Sequence, residues 1–198
     1  MEKEKNKREL YVFSLSSFLN DLGSDMIYPI WPLFVTVFLG ADVVVLGFID
    51  GIGDALVSIS SAFSGYLSDK FRRRKIFVWT GYLSSGIARF GYALSPTWLY
   101  LALFKALDRA GKIRGAPRDA MIAELSSKNN RGTNFGFLRA MDNFGAIVGI
   151  TLSILLLRYL GFRNLILLAA IPSFFSVCII YFFIKEKKFD TQKRSFSI

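Results

Sequence analysis

The chain has 198 residues, of which 53% are hydrophobic and 16% aromatic, and its net charge is +10. This composition is typical of membrane proteins rather than of soluble domains of similar length. The absence of histidine and the single cysteine, Cys178, exclude disulfide frameworks, zinc sites of His/Cys type and histidine-activated nucleophiles. The positive charge would suit nucleic acid in a soluble protein. Here the basic residues cluster at the ends of apolar stretches, as topology signals do, so no nucleic-acid partner is predicted.

Six apolar stretches are long enough to cross a bilayer, which takes about 20 helical residues for about 30 Å of hydrocarbon. We therefore predict an all-α, polytopic membrane protein with six transmembrane helices in residues 11–184, a tail at 1–10 and a tail at 185–198. The first stretch is too long for a signal-peptide core and lacks a small-residue cleavage site, so it should remain in the mature protein. The predicted spans are residues 11–39, 43–68, 76–95, 97–117, 133–157 and 162–184.

The loops between these spans alternate in charge. Residues 40–42 and 95–97 carry no lysine or arginine, whereas residues 69–75 and 118–132 are rich in both. Basic loops stay preferentially on the cytoplasmic side of a membrane. The alternation therefore predicts a multi-pass protein of the cell membrane with both termini in the cytoplasm.

Ionisable residues lie inside the predicted spans, and their depth follows from a rise of about 1.5 Å per helical residue. Asp21, Asp54 and Lys105 reach a common level from three different spans, and Asp50 shares a helix face with Asp54 by i,i+4 spacing. A lone charge at mid-bilayer costs at least about 2.5 to 3.5 kcal/mol, so these residues should face a polar cavity or one another. The candidate substrate or coupling-ion pathway comprises Asp21, Asp50, Asp54, Lys105, Asp108 and Arg109.

A second, lower charge layer is predicted from the fifth span, where Arg139 and Asp142 stand at i,i+3, roughly level with Arg109 and Lys112. The alternative is that such pairs only join helices, because a buried ion pair is not proof of function. For the whole set a pathway is favoured, since ionisable residues come from four of the six spans. The pattern leaves the roles of three further residues open: Asp25, Arg89 and Asp119.

Prolines and glycines interrupt the same spans. Pro29 and Pro32 remove backbone donors from the first span and predict a break above its midplane. Gly145 and Gly149 offer a small-residue face in the fifth span. Both pairs are candidates for helix packing or for a hinge, and the sequence does not choose between these roles.

The loop "GYLSDKFRRRK", residues 65–75, resembles the signature of the major facilitator superfamily of secondary transporters. The residues that match are Gly65, Leu67, Ser68, Asp69, Lys70, Arg73 and Arg74, and the family's usual glycine is Arg72 here. "KALDRAGKIRGAPRDA" and "RGTNFGFLRAMDNFGAIVG" are similar to motifs of a group of uncharacterised prokaryotic permeases within it. Lys105 replaces that group's leading arginine, and Ile150 stands where the family has a proline.

The resemblance implies a six-helix half built from two inverted three-helix repeats, and a cytoplasmic gate. The loop aspartate of the family pairs with basic residues at helix ends, so Asp69 is expected to pair with Arg114, Arg118 or Arg139. The role of Lys105 in coupling or substrate binding is likewise implied. From their common depth, Asp21 or Asp54 is expected to be the partner of its ammonium group. The gate residues implied are Gly65, Asp69, Lys70, Arg73, Arg74, Arg114, Arg118, Arg139 and Asp142.

The function implied is alternating-access transport of a small solute, coupled to an ion or proton gradient, by a non-enzymatic protein without cofactor or metal. Because the family normally has twelve spans, a second six-helix half is expected as partner, either another copy or a separately encoded chain. The alternatives are a truncated, non-transporting remnant or scaffold and a lipid-acting membrane enzyme. A cation, a zwitterion or an amphipathic drug would each suit the charges, with Tyr28, Trp31 and Phe104 as candidate aromatic contacts.

Overall fold

The backbone is helical throughout its regular elements. The computed structural model describes residues 2–71 and 73–185, with side chains from residue 4 onwards, and this part of the chain contains no strand. Helices satisfy their backbone hydrogen bonds internally, which suits a solvent without water. The predicted all-α class is confirmed for these residues. The expectations for Arg72 and for residues 186–198 of the C-terminal tail lie outside them.

The first predicted span changes helix type where its prolines fall. Helix α1, Glu2–Ile27, begins inside the predicted N-terminal tail, and a 3-10 turn at Tyr28–Ile30 follows it. The short helix α2, Trp31–Leu33, then leads into a π-helical segment at Phe34–Phe38. Pro29 and Pro32 lie in this irregular stretch because neither can donate to a regular helix ladder. The predicted break is therefore present, and it sets the direction in which Trp31 points.

The next predicted spans fold into four helices and a 3-10 segment at Gly111–Arg114. The segment lies in the fourth predicted span, and Pro117 follows in the first turn of the next helix, Gly115–Leu125, where a missing N–H is tolerated. That helix runs beyond the predicted end of the span at residue 117. The helices are α3 at Val43–Phe71, α4 at Arg74–Leu94, α5 at Trp98–Ala110 and α6 at Gly115–Leu125.

The last helical element, α7 at Arg131–Phe183, is interrupted at Gly161, whose φ of 70° and ψ of 175° are not helical. A Cβ at Gly145 would overlap the backbone of Phe18, and one at Gly149 would overlap that of Leu22, so this segment rises with α1. The second segment, which follows Gly161, runs antiparallel to α1. Ala169 lies against Gly23, and the Ser176 hydroxyl donates to the Ser16 carbonyl at 2.8 Å. Helix α1 thus packs between two antiparallel segments.

Two of the described helices are long and apolar enough to cross a membrane by themselves, α3 and the interrupted α7. At about 1.5 Å per residue, the 29 residues of α3 span more than the hydrocarbon core. The other helices are short or carry charges within their length, such as Asp21 and Asp25 in α1 and Arg89 in α4. The predicted count of six spans stays a prediction.

Two separate apolar clusters form the core. One contains Met26, Phe34 and Leu101, and the other contains Phe13, Tyr82 and Ile122. Asp21 and Asp25 of α1, and the charged residues between Leu101 of α5 and Met121 of α6, fall in sequence between members of the two clusters. The apolar packing therefore brackets the polar layer in which the candidate site lies.

A charged cavity as the candidate functional site

A cavity of about 690 Å³ opens among α1 with the turn after it, α3, α4, and α5 with the 3-10 segment. All six residues predicted for the pathway line it. Five carboxylates and four basic groups face this space, which is an unusual concentration of charge for a chain so apolar. The aspartates and basic residues on its wall are Asp21, Asp25, Asp50, Asp54, Arg89, Lys105, Asp108, Arg109 and Lys112.

Lys105 forms the closest ion pair of the cavity. Its Nζ lies 2.9 Å from Oδ1 of Asp50 and 3.7 Å from the centroid of the Trp31 ring. The indole Nε1 of Trp31 donates to the same carboxylate oxygen at 3.1 Å. The prediction that Lys105 pairs with Asp21 or Asp54 is wrong, because depth gives a residue's level but not the direction of its side chain around the helix.

The Lys105 side chain packs against α3 at Gly53. A Cβ at this position would stand 3.6 Å from Cε of Lys105 and 3.2 Å from Cγ of Arg109. The aliphatic stems of both basic residues therefore rest against the bare backbone of α3. Nε of Arg109 is buried without a hydrogen-bond partner among the described residues.

Four carboxylates of the cavity have no ion pair. Asp21, Asp25, Asp54 and Asp108 have no basic nitrogen of a described residue within 4.0 Å. Asp21 accepts a hydrogen bond from Nδ2 of Asn20 at 3.0 Å, and the residue Asp54 is exposed on α3. Such charges in a membrane protein require water, a proton or a bound cation beside them.

Arg89 closes the side of the cavity on α4 and is only 2% exposed. Its guanidinium donates to the carbonyl oxygen and Oδ1 of Asn20, at 3.1 and 3.2 Å, and to the hydroxyls of Ser24 and Ser173. All these partners are neutral. Because they come from α1 and the second segment of α7, Arg89 joins three elements at the level of the cavity.

A second group of charges, here called the lower charge cluster, consists of Arg118, Asp119, Arg139 and Asp142. Arg118 contacts Oδ1 of Asp119 at 3.2 Å and Oδ2 of Asp142 at 3.6 Å. Arg139 contacts Oδ2 of each aspartate, at 3.1 and 3.4 Å. Arg118 also donates to the Ser17 hydroxyl at 2.5 Å, which ties the cluster to α1.

The predicted lower layer is thus present with different members. Arg109 and Lys112 line the cavity, whereas Arg139 and Asp142 meet Arg118 and Asp119 instead. The 3-10 segment between α5 and α6 explains why the residues after it, Arg118 and Asp119, are the ones that reach Arg139 and Asp142. Its rise of about 2.0 Å and its three residues per turn shift both depth and direction relative to a continuous α-helix.

Asp69 pairs within its own connection rather than with distant arginines. Its Oδ1 lies 2.8 Å from Nη2 of Arg74, whose Nη1 lies 2.5 Å from Oε1 of Glu124 on α6. The predicted pairing of Asp69 with Arg114, Arg118 or Arg139 is therefore wrong for this structure. Asp69 and Arg74 flank the short connection from α3 to α4, which makes them neighbours.

The remaining predicted gate residues lie on the surface or face other groups. Arg114 donates to the Gly111 carbonyl at 2.9 Å and to the Ser85 hydroxyl at 3.2 Å, so it points toward α4. Lys70 is exposed near the ring of Tyr66, and Arg73 is exposed before α4. Gly65 packs at ordinary distance from Ala116. Only part of the predicted gate set therefore forms one connected group.

The sequence of the chain decides the family. A sequence model described as Major Facilitator Superfamily matches residues 13–197. The chain belongs to the major facilitator superfamily. The resemblance seen in the loop at residues 65–75 is thereby confirmed.

Relatives in this superfamily include an uncharacterized MFS-type transporter of Methanocaldococcus jannaschii, 42% identical over 193 residues. The match covers 94% of this chain and 48% of that protein. The multidrug resistance protein MdtH of Salmonella arizonae is 28% identical, with 86% and 42% covered. The chain therefore spans about half the length of these curated relatives.

A solved member of the superfamily has the same fold. The crystal structure of a mutant peptide transporter in complex with sulfate superposes with a TM-score of 0.75 over 88% of this chain and 37% of that one. The sequence identity is 20%, so this likeness concerns the fold alone.

Several wall residues of this superfamily member were not among the sequence candidates. Tyr92 packs its ring 5.1 Å from Trp31, and its buried hydroxyl has no partner among the described residues. Of the candidate aromatics, Tyr28 and Trp31 line the cavity, whereas Phe104 packs against Gly91. A signal for Arg89 was available, since an arginine stands in the small-residue stretch "SSGIARFGYA".

Proposed function

We propose that the chain is a six-span half of a secondary transporter that moves a small solute by alternating access. The observation that carries this proposal is the charged cavity, with its four unpaired carboxylates and the ion pair of Lys105 and Asp50. A purely structural ion-pair layer would leave few charges without partners, because unpaired charges in a membrane are costly. The volume is also within the usual range for small-molecule sites, about 300 to 1,000 Å³.

Coupling to protons is part of the proposal. Asp21 and Asp25 are one turn apart on α1, and Asp54 stands on α3 in the same cavity. A carboxylate without a fixed cation can take up a proton when the cavity opens to an acidic side and release it on the other side. The pathway residues proposed are the six named from the sequence, together with Asp25.

The proposal places six spans in the cell membrane with both termini in the cytoplasm, since the basic loops alternate with neutral ones. It also requires a second six-helix half. The matched relatives are about twice as long, and Asp54 is exposed where such a half would face it. Crosslinking in native membranes should yield a species of about twice the 22.3 kDa monomer for a self-pairing chain.

Flux measurements test the transport function. Purified protein in vesicles with an imposed pH gradient should dissipate that gradient when solutes from a panel of cations, zwitterions and amphipathic drugs are added. The name of the Salmonella relative supports including drug-like solutes. Lys105→Ala should lower the rate at least about tenfold, whereas Lys128→Ala, an exposed lysine outside the cavity, should keep it.

Each alternative to transport predicts a different result in these measurements. A folded, purified oligomer that moves no solute of the panel, with or without the gradient, contradicts transport and leaves the remnant or scaffold. Unchanged flux in Lys105→Ala contradicts the role of this lysine while leaving transport intact. Lipid products formed in the same vesicles would instead favour the membrane enzyme.

A further inference from the structure

The Lys105 ammonium occupies a site built for an organic cation. Asp50 supplies a carboxylate at 2.9 Å and Trp31 a ring face at 3.7 Å, and the indole N–H of Trp31 holds the carboxylate in place at 3.1 Å. Tyr92 backs the indole ring at 5.1 Å. A ring face and a carboxylate on one ammonium are the features by which proteins recognise alkylammonium ligands. We call Trp31, Asp50 and Tyr92 the cation cage.

We propose that the transported solute is an organic ammonium ion that enters the cation cage by displacing Lys105. This deepens the proposed function and rests on it. Lys105 is then a tethered placeholder that keeps the cage charge-balanced when no solute is bound. A solute that carries its own ammonium group replaces it with the same contacts.

Unused polar atoms beside the cage support a ligand there. The residues Trp31 and Tyr92 are 6% and 3% exposed, so the cage walls are fixed by packing. The Tyr92 hydroxyl and Nε of Arg109 are both buried, both belong to residues of the cavity wall, and both lack a hydrogen-bond partner among the described residues. Buried donors without partners are costly, and a bound solute with an acceptor group would satisfy them.

The displaced lysine has a second counter-ion available. Asp54 stands one helical turn from Asp50 on the same face of α3, lines the same cavity and has no ion pair. The lysine stem lies beside that of Arg109 against Gly53, which itself has no side chain to obstruct movement along α3. Lys105 can therefore leave Asp50 for Asp54 without becoming an unpaired charge.

Binding of tetramethylammonium to the purified protein in detergent tests the displacement. If Lys105 occupies the cage for about nine-tenths of the time, its removal raises the apparent affinity about tenfold, because the vacant site no longer has to be freed. Lys105→Met should show that gain, and Asp50→Asn should abolish binding. Lys112→Met is the matched control: it removes the same charge from the same cavity, outside the cage, and should give a much smaller gain.

An unchanged or lower affinity in Lys105→Met overturns the proposal, because it means that the lysine does not compete with the cation. An equal gain in Lys112→Met also overturns it, since the effect would then be general repulsion. Neopentyl alcohol, a neutral molecule of similar shape, should not bind. Binding of this alcohol as tight as that of tetramethylammonium would show a purely apolar pocket.

A second measurement needs no substitution. Tetramethylammonium cannot react with acylating reagents, so its effect on the acetylation rate of each lysine can be followed by mass spectrometry. Saturating tetramethylammonium should raise the rate at Lys105 and leave that at Lys112 unchanged. A lower or constant rate at Lys105 contradicts displacement. Because both assays measure binding, absent flux with positive binding would contradict transport alone, and flux of other solutes without cation binding would contradict only the cage.

Discussion

The cavity and the lower charge cluster contain similar residues in opposite states. In the lower cluster two arginines and two aspartates contact one another across α6 and α7, and Arg118 also reaches α1. In the cavity Asp21, Asp25, Asp54 and Asp108 have no ion pair, and Lys105 is held by a single carboxylate. Both groups lie in helices of one small, apolar chain. The comparison teaches that charges paired with one another connect helices, whereas charges without an ion pair indicate a binding site.

The largest loss of stability is expected from substitution of Arg118 in the lower charge cluster, which is 8% exposed and contacts two aspartates. Arg118→Met should lower the free energy of unfolding by about 3 to 5 kcal/mol, because it leaves Asp142 buried with only Arg139. Thermal unfolding in detergent, followed by a thiol-independent probe such as intrinsic fluorescence, measures the change. Arg131→Met, an exposed arginine at the start of α7, serves as control. Equal stability of the two variants would show that the cluster is not a joint.

A smaller loss is expected where α1 meets the first segment of α7. Gly149→Ala places a methyl group against the Leu22 carbonyl, so it should cost about 1 to 3 kcal/mol through overpacking. Gly136→Ala on the same element has open space around it and should instead stabilise the helix slightly. The same unfolding assay compares them. If Gly149→Ala is as stable as Gly136→Ala, Gly149 does not hold α1 in close contact.

The smallest effect on stability is expected in the cavity itself. Asp54→Asn removes an exposed charge without an ion pair and should change the free energy of unfolding by no more than about 0.5 kcal/mol. The functional effect should be larger: without Asp54 the displaced lysine loses the second counter-ion one turn from Asp50 on α3, so tetramethylammonium should bind more weakly. In the Lys105→Met background the same change should have little effect on binding. A large loss of stability would place Asp54 in the scaffold instead.

The common depth of the site residues in the membrane could be predicted from helix rise alone. Asp21, Asp54 and Lys105 were expected at one depth and do line one cavity. Their pairing could not be predicted, because the choice of Asp50 over Asp54 depends on how α3 and α5 are rotated about their axes. The 3-10 segment at Gly111–Arg114 follows these residues and limits prediction only for those after it, such as Arg118, because it changes their rotation about the helix axis.

Arg89 shows a different limit. Its partners are neutral groups of Asn20, Ser24 and Ser173, and no rule of charge complementarity points from an arginine to serines and an asparagine. The cage around Lys105 depends likewise on the direction of Trp31 after the 3-10 turn. The fold class and family followed from apolar stretches and one loop motif, because these are local features of the sequence.

The position of α1 between the two segments of α7 also constrains how the chain can be made. Helix α1 leaves the ribosome before its neighbours Ala169 and Ser176, which are synthesised about 150 residues later. Throughout that interval the Ser16 carbonyl lacks the hydroxyl of Ser176, its partner in the folded chain. The packing of α1 is therefore complete only when the segment that follows Gly161 has been made.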